Sequence, residues 1–327
     1  MPPTVTIPPA HTVHALGGDT MGTTWSVQVV AGRDCDLHAL HHRVQVVLDR
    51  VVAQMSTWEP DSDISRFNRA EAGHWQAIPG EFLQVLRTAL VIAEASGGAF
   101  DPTVGGLVGL WGFGAQAQPR GTTDDLQQRR LAANAGWDRL QLDVPGSRVL
   151  QTGGLILDLS AIAKGYAVDA VAEALRRDGI GAALIEVGGE LFGYGRKPDG
   201  TPWRVLMEST PEEEQAAQLE PRVVELDGKA VATSGDRWHA YEHQGERISH
   251  TLDPRSARPV AQSSAGVTVL AANAMEADAW ATAMTVLGAE QGLILAERLS
   301  LAVRFVDRTP QGLQERSSSA LSAMWST

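Results

Sequence analysis

The residues around Lys164 have the composition of a binding site for a phosphate-bearing ligand. The sequence predicts an apolar strand at Leu155–Leu157, then a turn of small residues, then a helix that carries Lys164 in its first turns. The unpaired N–H groups and the positive dipole end at a helix start attract anions, and a lysine adds a full charge there. Asp158, at the strand end, can accept a hydrogen bond from a ligand. An ordinary strand–turn–helix with a surface lysine is the alternative interpretation.

Asp278 and Thr282 supply oxygen atoms at the start of a helix predicted over Ala274–Arg298. Because they are four residues apart, both side chains lie on one helix face. A carboxylate and a hydroxyl group, together with backbone carbonyls, are hard oxygen ligands suited to Mg²⁺. An acid near a helix N-terminus also interacts favourably with the helix dipole when no metal is involved, so a structural role is the alternative.

Three further residues have side chains that could take part in binding or chemistry. Trp58 stands in a polar, turn-rich segment, where it covers either a flat ring of a ligand or part of the core. Asp101 precedes a proline, so its backbone is expected to be extended; a helix-cap or turn role is the alternative to ligand binding. His250 ends a predicted strand beside Asp253 and is either a general base or a structural histidine.

The overall composition limits the classes of function. The chain has 327 residues, of which 43% are hydrophobic and 20% are charged. This composition is typical of a globular protein with one large domain or two closely packed ones. A net charge of −12 disfavours nucleic acid as a partner. The single cysteine, Cys35, excludes an internal disulfide, and no uncharged apolar window is long enough for a transmembrane helix.

Strands and helices are mixed along the sequence, and hairpin signals are more evident than regular strand–helix–strand units, which favours an α+β fold. A helix is predicted over Leu37–Met55, and the helix that begins at Ala274 has a predicted break near Gly288. The segment Glu242–Gly245 predicts a hairpin turn. The polar stretch at residues 114–130 is expected to be an exposed insertion.

Several short motifs follow one another in a defined order. They are Met21–Trp25, Met55–Ser62, Ala99–Val104, Asp158–Tyr166, Glu186–Glu190, Ala232–Asp236, His250–Arg255 and Glu276–Ala279. The ordered series resembles the ApbE family of FAD:protein FMN transferases over roughly residues 18–310. Each motif is weak alone, whereas the series in this order is highly specific.

The resemblance implies an α+β fold of mixed or antiparallel sheets with packed helices, related to the tunnelling fold. It also implies Mg²⁺ and FAD, and a reaction in which a threonine or serine hydroxyl of an acceptor flavoprotein subunit attacks the FMN phosphorus of FAD while AMP leaves. The positions that match FAD contacts are Met21, Trp58, Ala99, Phe100, Asp101, Asp158, Lys164 and Leu252. The positions that match metal ligands are Ala161 (through its carbonyl), Asp278 and Thr282, and His250 matches a proposed base.

Two alternatives to FMN transfer stay open: hydrolysis of FAD to FMN and AMP, and a non-catalytic flavin-binding protein. Asp278, Thr282 and His250 favour an enzyme, since a carrier needs no metal at a pyrophosphate group. The chain also departs from the family pattern. Family members usually have a glycine in the strand–turn segment at the position where this chain has Ser160. The segment that follows Ser234-Gly235-Asp236 is Arg237–His239, so that side of the pocket is expected to differ.

The sequence predicts one ApbE-like domain over residues 18–310, with a flexible arm at residues 1–17 and a tail at residues 311–327. The start, Met1–Val5, has neither a basic region nor an apolar core, so no signal peptide is expected. A cytoplasmic protein is therefore expected from the sequence as it stands, and a periplasmic protein if an export signal has been removed.

Overall fold

The fold mixes strands and helices, and the computed structural model describes it over residues 11–119, 124–207, 222–235, 240–243, 246–260 and 264–325. The strands are β1 (Thr12–Thr20), β2 (Thr23–Ala31), β3 (His74–Ala77), β4 (Gln141–Asp143), β5 (Arg148–Gln151), β6 (Ala183–Val187), β7 (Glu190–Tyr194), β8 (Trp203–Leu206), β9 (Val223–Leu226), β10 (Lys229–Gly235), β11 (Ala240–His243), β12 (Glu246–Ser249), β13 (Leu252–Asp253), β14 (Arg258–Pro259), β15 (Ser264–Ala271), β16 (Ala302–Thr309) and β17 (Gly312–Ser317). The helices are α1 (Leu37–Met55), α2 (Asp63–Arg69), α3 (Gly80–Ala95), α4 (Gly105–Leu110), α5 (Asp125–Asn134), α6 (Ala163–Arg177), α7 (Ala274–Leu299) and α8 (Ser319–Trp325). This mixture confirms the predicted α+β class.

An eight-stranded sheet carries the core, with the strand order β1-β2-β6-β7-β10-β15-β16-β17. Every neighbouring pair in it is antiparallel. Inward-facing residues alternate with outward-facing ones along its strands, as Trp25, Val27 and Val29 of β2 show by their burial. The alternation leaves one face of the sheet to be covered by helices.

Helices α1, α6 and α7 cover that face, with α6 packed between the other two. Helix α1 spans Leu37–Met55 as predicted and buries Leu40, Val44 and Leu48 at helical spacing. Its first turn is capped by the carboxylate of Asp36, which accepts two backbone hydrogen bonds. None of the described helices is both long enough and apolar enough to cross a membrane.

Helix α7 begins and bends at identifiable residues. The carboxylate of Asp169, on α6, accepts hydrogen bonds from the backbone N–H groups of Ala274 and Met275 at 2.8 and 2.9 Å. Two orphan donors of the first turn are thereby satisfied from a neighbouring helix. Burial raises the pKa of Asp169 to about 6, although these two hydrogen bonds oppose the shift. Gly288, with φ of 68°, interrupts the helix at the predicted position.

The N-terminal turns of α6 and α7 touch at Gly165. A Cβ atom placed on Gly165 would lie 2.2 Å from the carbonyl oxygen of Ala274. Only a residue without a side chain therefore permits this approach. The contact brings the backbone of α6 next to the first turns of α7.

The opposite face of the sheet has a smaller apolar core under the β8–β9 hairpin. Trp203, Leu226 and Met207 pack there with Leu270 of β15 and Leu321 of α8. Trp203 also donates its indole N–H to the carbonyl of Tyr194 at 3.0 Å. Both faces of the central strands are thus covered over part of their length.

Both termini extend further into the fold than predicted. Residues 12–17, expected in a flexible arm, form most of β1 and pair along their whole length with β2. Residues 312–317, expected in a tail, form β17 and pair with β16. The sequence patterns at these edges are weakly apolar, and the strands form because an adjacent strand supplies their hydrogen bonds. Residues 1–10 lie outside the described ranges.

The predicted strand at Leu155–Leu157 is extended but pairs in an irregular way. Ile156 forms a single parallel bridge with Val104. The side-chain amide of Asn68 then takes the place of a neighbouring strand, because its oxygen accepts from Leu157 N–H at 2.7 Å and its NH₂ donates to the Leu157 carbonyl at 2.9 Å. A side chain distant in the sequence therefore satisfies the backbone hydrogen bonds of Leu157.

The polar insertion at residues 114–130 holds the start of α5, a helix with no buried residue. Residues 120–123 of this insertion lie outside the described ranges. The predicted hairpin joins β11 to β12, and residues 244–245 of its turn are outside those ranges too. The expected family difference at Arg237–His239 likewise falls outside them.

We expect Gly165→Ala to destabilise the protein by about 1–3 kcal/mol, because the added methyl group forces α6 and α7 apart. Urea unfolding followed by circular dichroism measures the change. Gly80→Ala, at the first residue of α3, is the matched control, since a Cβ atom there meets nothing within 4 Å. Equal stability of the two variants would show that the helices can separate freely.

Candidate functional site

A cavity of about 1050 Å³ contains every residue that the sequence analysis put forward as a site residue. They are Met21, Trp58, Ala99, Phe100, Asp101, Asp158, Ala161, Lys164, His250, Leu252, Asp278 and Thr282. A volume of this order accommodates a ligand of dinucleotide size. Residues spread over more than 250 positions of the sequence thus meet at one place.

Two tight hairpin turns bring backbone to the wall of the cavity. Met21 and Gly22 join β1 to β2 with φ of 50° and 72°, and Gly188 and Gly189 join β6 to β7 with φ of 59° and 101°. Two-residue hairpin turns with positive φ match the twist of antiparallel strands. Met21 adopts a conformation that is uncommon for a residue with a side chain, and such residues often lie at functional sites.

Oxygen ligands converge where α6 and α7 meet. Gly165 donates its N–H, which as one of the first N–H groups of α6 has no acceptor within that helix, to Asp278 Oδ2 at 3.0 Å, and Ala161 lines the cavity just before the helix. Asp278 Oδ1 accepts no hydrogen bond from the residues that the structure describes. Thr282 lies one turn further along α7 and lines the same cavity. A carboxylate oxygen, a backbone carbonyl and a hydroxyl group are therefore available together.

A lysine and two buried acids form the charged part of the site. Lys164 Nζ lies 2.5 Å from Glu190 Oε1, and the Lys164 side chain is partly exposed whereas that of Glu190 is buried. Burial raises the pKa of Glu190, nearby Asp278 raises it further, and Lys164 opposes both effects. Burial also raises the pKa of Asp278, again against the effect of Lys164. The cluster has one negative charge in excess when all three groups are ionised, which favours a cation.

Two other acids in the cavity organise loops. Asp158 Oδ1 accepts from the N–H of Ser160 at 2.8 Å and from its hydroxyl group, so serine fits the position of the usual family glycine. Asp101 accepts from Thr103 N–H and hydroxyl through Oδ1, and from Trp137 N–H through Oδ2. Burial raises the pKa of Asp101, and these hydrogen bonds oppose the shift. Asp101 therefore has the turn role that the sequence offered as the alternative to ligand binding, and it also lines the cavity.

Trp58 projects into open space at the cavity. Its side chain is 71% exposed, so it is not a core residue. An exposed indole at a cavity edge offers a flat apolar surface to a ligand ring. Ala99 and Phe100 are buried beneath the same cavity and shape its floor.

His250 lies on the cavity wall directly after β12. Its ring stands edge-on to Phe113, with centroids 6.3 Å apart. Phe113 contacts Tyr241 at 5.4 Å, and the Tyr241 hydroxyl donates to the Trp111 carbonyl at 3.1 Å. The segment after α4 therefore supports the histidine, and Leu252 packs against Leu107 of α4.

The structure adds cavity residues that the sequence analysis did not assign. Glu190 follows the Gly188–Gly189 turn, and Thr233, Thr268 and Arg304 line the cavity from β10, β15 and β16. Thr233 and Thr268 share a hydrogen bond of 2.9 Å. The available signal for Arg304, which is only 4% exposed, was a charged residue between the apolar residues Val303 and Phe305.

The fold and the cavity together define a protein with a large pocket lined by apolar and polar residues, a lysine at a helix start and several oxygen atoms that suit a hard metal ion. The chain belongs to the ApbE family, whose model matches residues 21–305. This finding confirms the resemblance drawn from the ordered motifs.

Known proteins of this family are similar to the chain over nearly its whole length. The FAD:protein FMN transferase of Klebsiella pneumoniae is 36% identical over 309 residues, which are 94% of this chain and 87% of the relative. That of Vibrio cholerae is 36% identical over 314 residues, 95% of this chain and 92% of the relative. The apo crystal structure of the flavinyl transferase ApbE of Pseudomonas stutzeri is also similar, with a TM-score of 0.89 and 38% sequence identity. The match covers 97% of this chain and 98% of the Pseudomonas stutzeri chain.

Proposed function

We propose that this protein transfers the FMN part of FAD to a threonine or serine hydroxyl group of an acceptor flavoprotein subunit and releases AMP. Membership of the ApbE family, and the names of relatives that match almost the entire chain, support FMN transfer from FAD. The observation that carries the proposal is the meeting of Lys164, the Asp278 carboxylate and His250 on one cavity.

The reaction forms one P–O bond and breaks another. The acceptor hydroxyl oxygen attacks the phosphorus of the FMN half, the bond from that phosphorus to the oxygen of AMP breaks, and the hydroxyl proton passes to a base. Such transfers depend on alignment and charge neutralisation more than on covalent help from the protein. Lys164 supplies positive charge for the pyrophosphate, and His250 is the candidate base.

Mg²⁺ fits the oxygen atoms at the contact of α6 and α7. Asp278, the carbonyl of Ala161 and Thr282 would hold it. The described residues contain no group of three or more His, Cys, Asp or Glu side chains placed to hold a metal. A single carboxylate with neutral oxygens suits Mg²⁺, which commonly uses few protein carboxylates together with substrate phosphates. When bound, Mg²⁺ would neutralise pyrophosphate charge and stabilise the leaving AMP.

Incubation with FAD, Mg²⁺ and a purified acceptor that contains an Asp-x-x-x-(Ser/Gly)-Ala-(Thr/Ser) motif tests the proposal. In-gel flavin fluorescence of the acceptor and release of AMP are followed together, and an acceptor with alanine at the final position is the control. We expect both products in equal amounts. AMP without a flavinylated acceptor would identify a hydrolase instead, and FAD binding without either product would identify a flavin-binding protein.

Asp278→Asn should reduce the transfer rate by roughly 10²-fold or more, because a cation no longer neutralises charge at the pyrophosphate. Asparagine keeps the volume and can still accept from Gly165 N–H, so the fold is expected to persist. Glu276→Gln, in the first turn of the same helix, is the control with unchanged rate. Undiminished transfer by Asp278→Asn, or by the parent in EDTA, contradicts the metal assignment.

Trp58→Ala should weaken FAD binding several-fold, since stacking on an aromatic ring contributes on the order of 1 kcal/mol. The exposed position predicts no change in the free energy of unfolding. Isothermal titration with FAD measures the affinity, and Trp75→Ala on β3 is the control because Trp75 does not line the cavity. Equal FAD affinity of both variants would remove Trp58 from the site.

His250→Ala should retain FAD affinity and lose transfer, because removal of the hydroxyl proton contributes roughly 10²–10⁴-fold to such a rate. Because a base must be unprotonated to accept the hydroxyl proton, the residual rate of the variant should depend less on pH than the parent rate. Phe113→Leu is the comparison, because it removes the aromatic contacts of Phe113 with His250 and Tyr241 while the imidazole stays in place. Transfer by His250→Ala at the parent rate would show that another group takes the proton.

A further inference from the structure

Glu190 is a buried acid that the proposed chemistry leaves without a task. It is the first residue of β7, directly after the Gly188–Gly189 turn, and is 3% exposed. Its Oε1 atom lies 2.5 Å from Lys164 Nζ. Its Oε2 atom is buried and has no hydrogen-bond partner among the residues that the structure describes. Buried carboxylates placed for stability alone usually have both oxygens satisfied.

Two acids interact with the Lys164 ammonium group. Glu190 holds it by direct contact, and Asp278 is close enough for each charge to affect the other. The lysine stem is flexible and carries three donors, so an ammonium group released from one acid can turn to the other. Gly188 lies against this stem, since a Cβ atom on Gly188 would be 3.2 Å from Lys164 Cδ.

An ammonium group paired with Asp278 would occupy the carboxylate that a divalent cation needs. We propose that Glu190 is a positioning residue that holds the Lys164 ammonium group away from Asp278 and so keeps the Asp278 carboxylate available to a divalent cation. The inference rests on the proposed metal site. This role explains why position 190 holds an acid, which costs free energy to bury, where an apolar residue of similar size would not carry that cost.

Mn²⁺ binding by the full chain, without FAD, tests the inference through the electron paramagnetic resonance signal of free Mn²⁺. Glu190→Ala should lower the affinity by about tenfold or more, because Mn²⁺ must displace an ammonium group from Asp278. Lys164→Met should bind Mn²⁺ at least as tightly as the parent. The double variant Glu190→Ala/Lys164→Met should recover the parent affinity, since the competing cation is gone.

Recovery in the double variant distinguishes positioning from a structural role, because a distorted cavity is not repaired by removing a second side chain. Lys229→Met, on the exposed start of β10, controls for the general effect of losing a positive charge. Glu190→Gln/Lys164→Met, compared with Glu190→Gln, provides the same comparison if Glu190→Ala does not fold.

Two results overturn the inference while leaving the metal site in place: parent-like Mn²⁺ affinity of Glu190→Ala, or a double variant as weak as the single one. The second result would make Glu190 a metal ligand or a structural residue. Failure of the parent to bind Mn²⁺, or binding that Asp278→Asn leaves unchanged, instead overturns the metal site itself and the inference with it.

Discussion

The contact between the first turns of α6 and α7 determines the geometry of the site. The contact is possible because Gly165 has no side chain, and it lets the Gly165 N–H, which has no acceptor within α6, donate to the carboxylate of Asp278. This hydrogen bond orients one carboxylate oxygen of Asp278. Asp169 strengthens the arrangement, since it caps the start of α7 from within α6. Chemistry and packing consequently depend on the same few atoms.

Charge balance explains why the site is built from this mixture of groups. The chain has a net charge of −12, and the buried acids Asp278 and Glu190 lie in one cavity with Lys164, which contacts Glu190. An anionic ligand could not enter such a place unless local positive charge exceeded the repulsion. Lys164 and the N-terminus of α6 lie at one wall of the cavity, and the proposed divalent cation would add positive charge there. In the proposed site the buried acids would favour that cation, and the cation would favour the phosphates.

Local signals in the sequence predicted much of the fold, and contacts between distant residues account for what it could not predict. Helix α1 and the break at Gly288 follow from capping, apolar spacing and glycine chemistry near each position. The order of motifs predicted a common site, and its members line one cavity. The irregular pairing at Leu157 depends on Asn68, and the pairing of Lys164 with Glu190 depends on a turn between two strands. Neither partner is visible from sequence spacing.

The two chemical tasks of the cavity are assigned to separately supported parts of the chain. Lys164 and Asp278 are fixed by helix packing and buried charge, whereas His250 follows β12 and is braced by Phe113. A base is needed only when a hydroxyl group attacks, whereas charge neutralisation is needed throughout binding and reaction. With separate supports, the proposed base could be matched to a protein acceptor while the wall proposed to bind the phosphates stays unchanged. Affinity for the nucleotide and the rate of transfer are therefore expected to respond to different residues, although both are properties of one cavity.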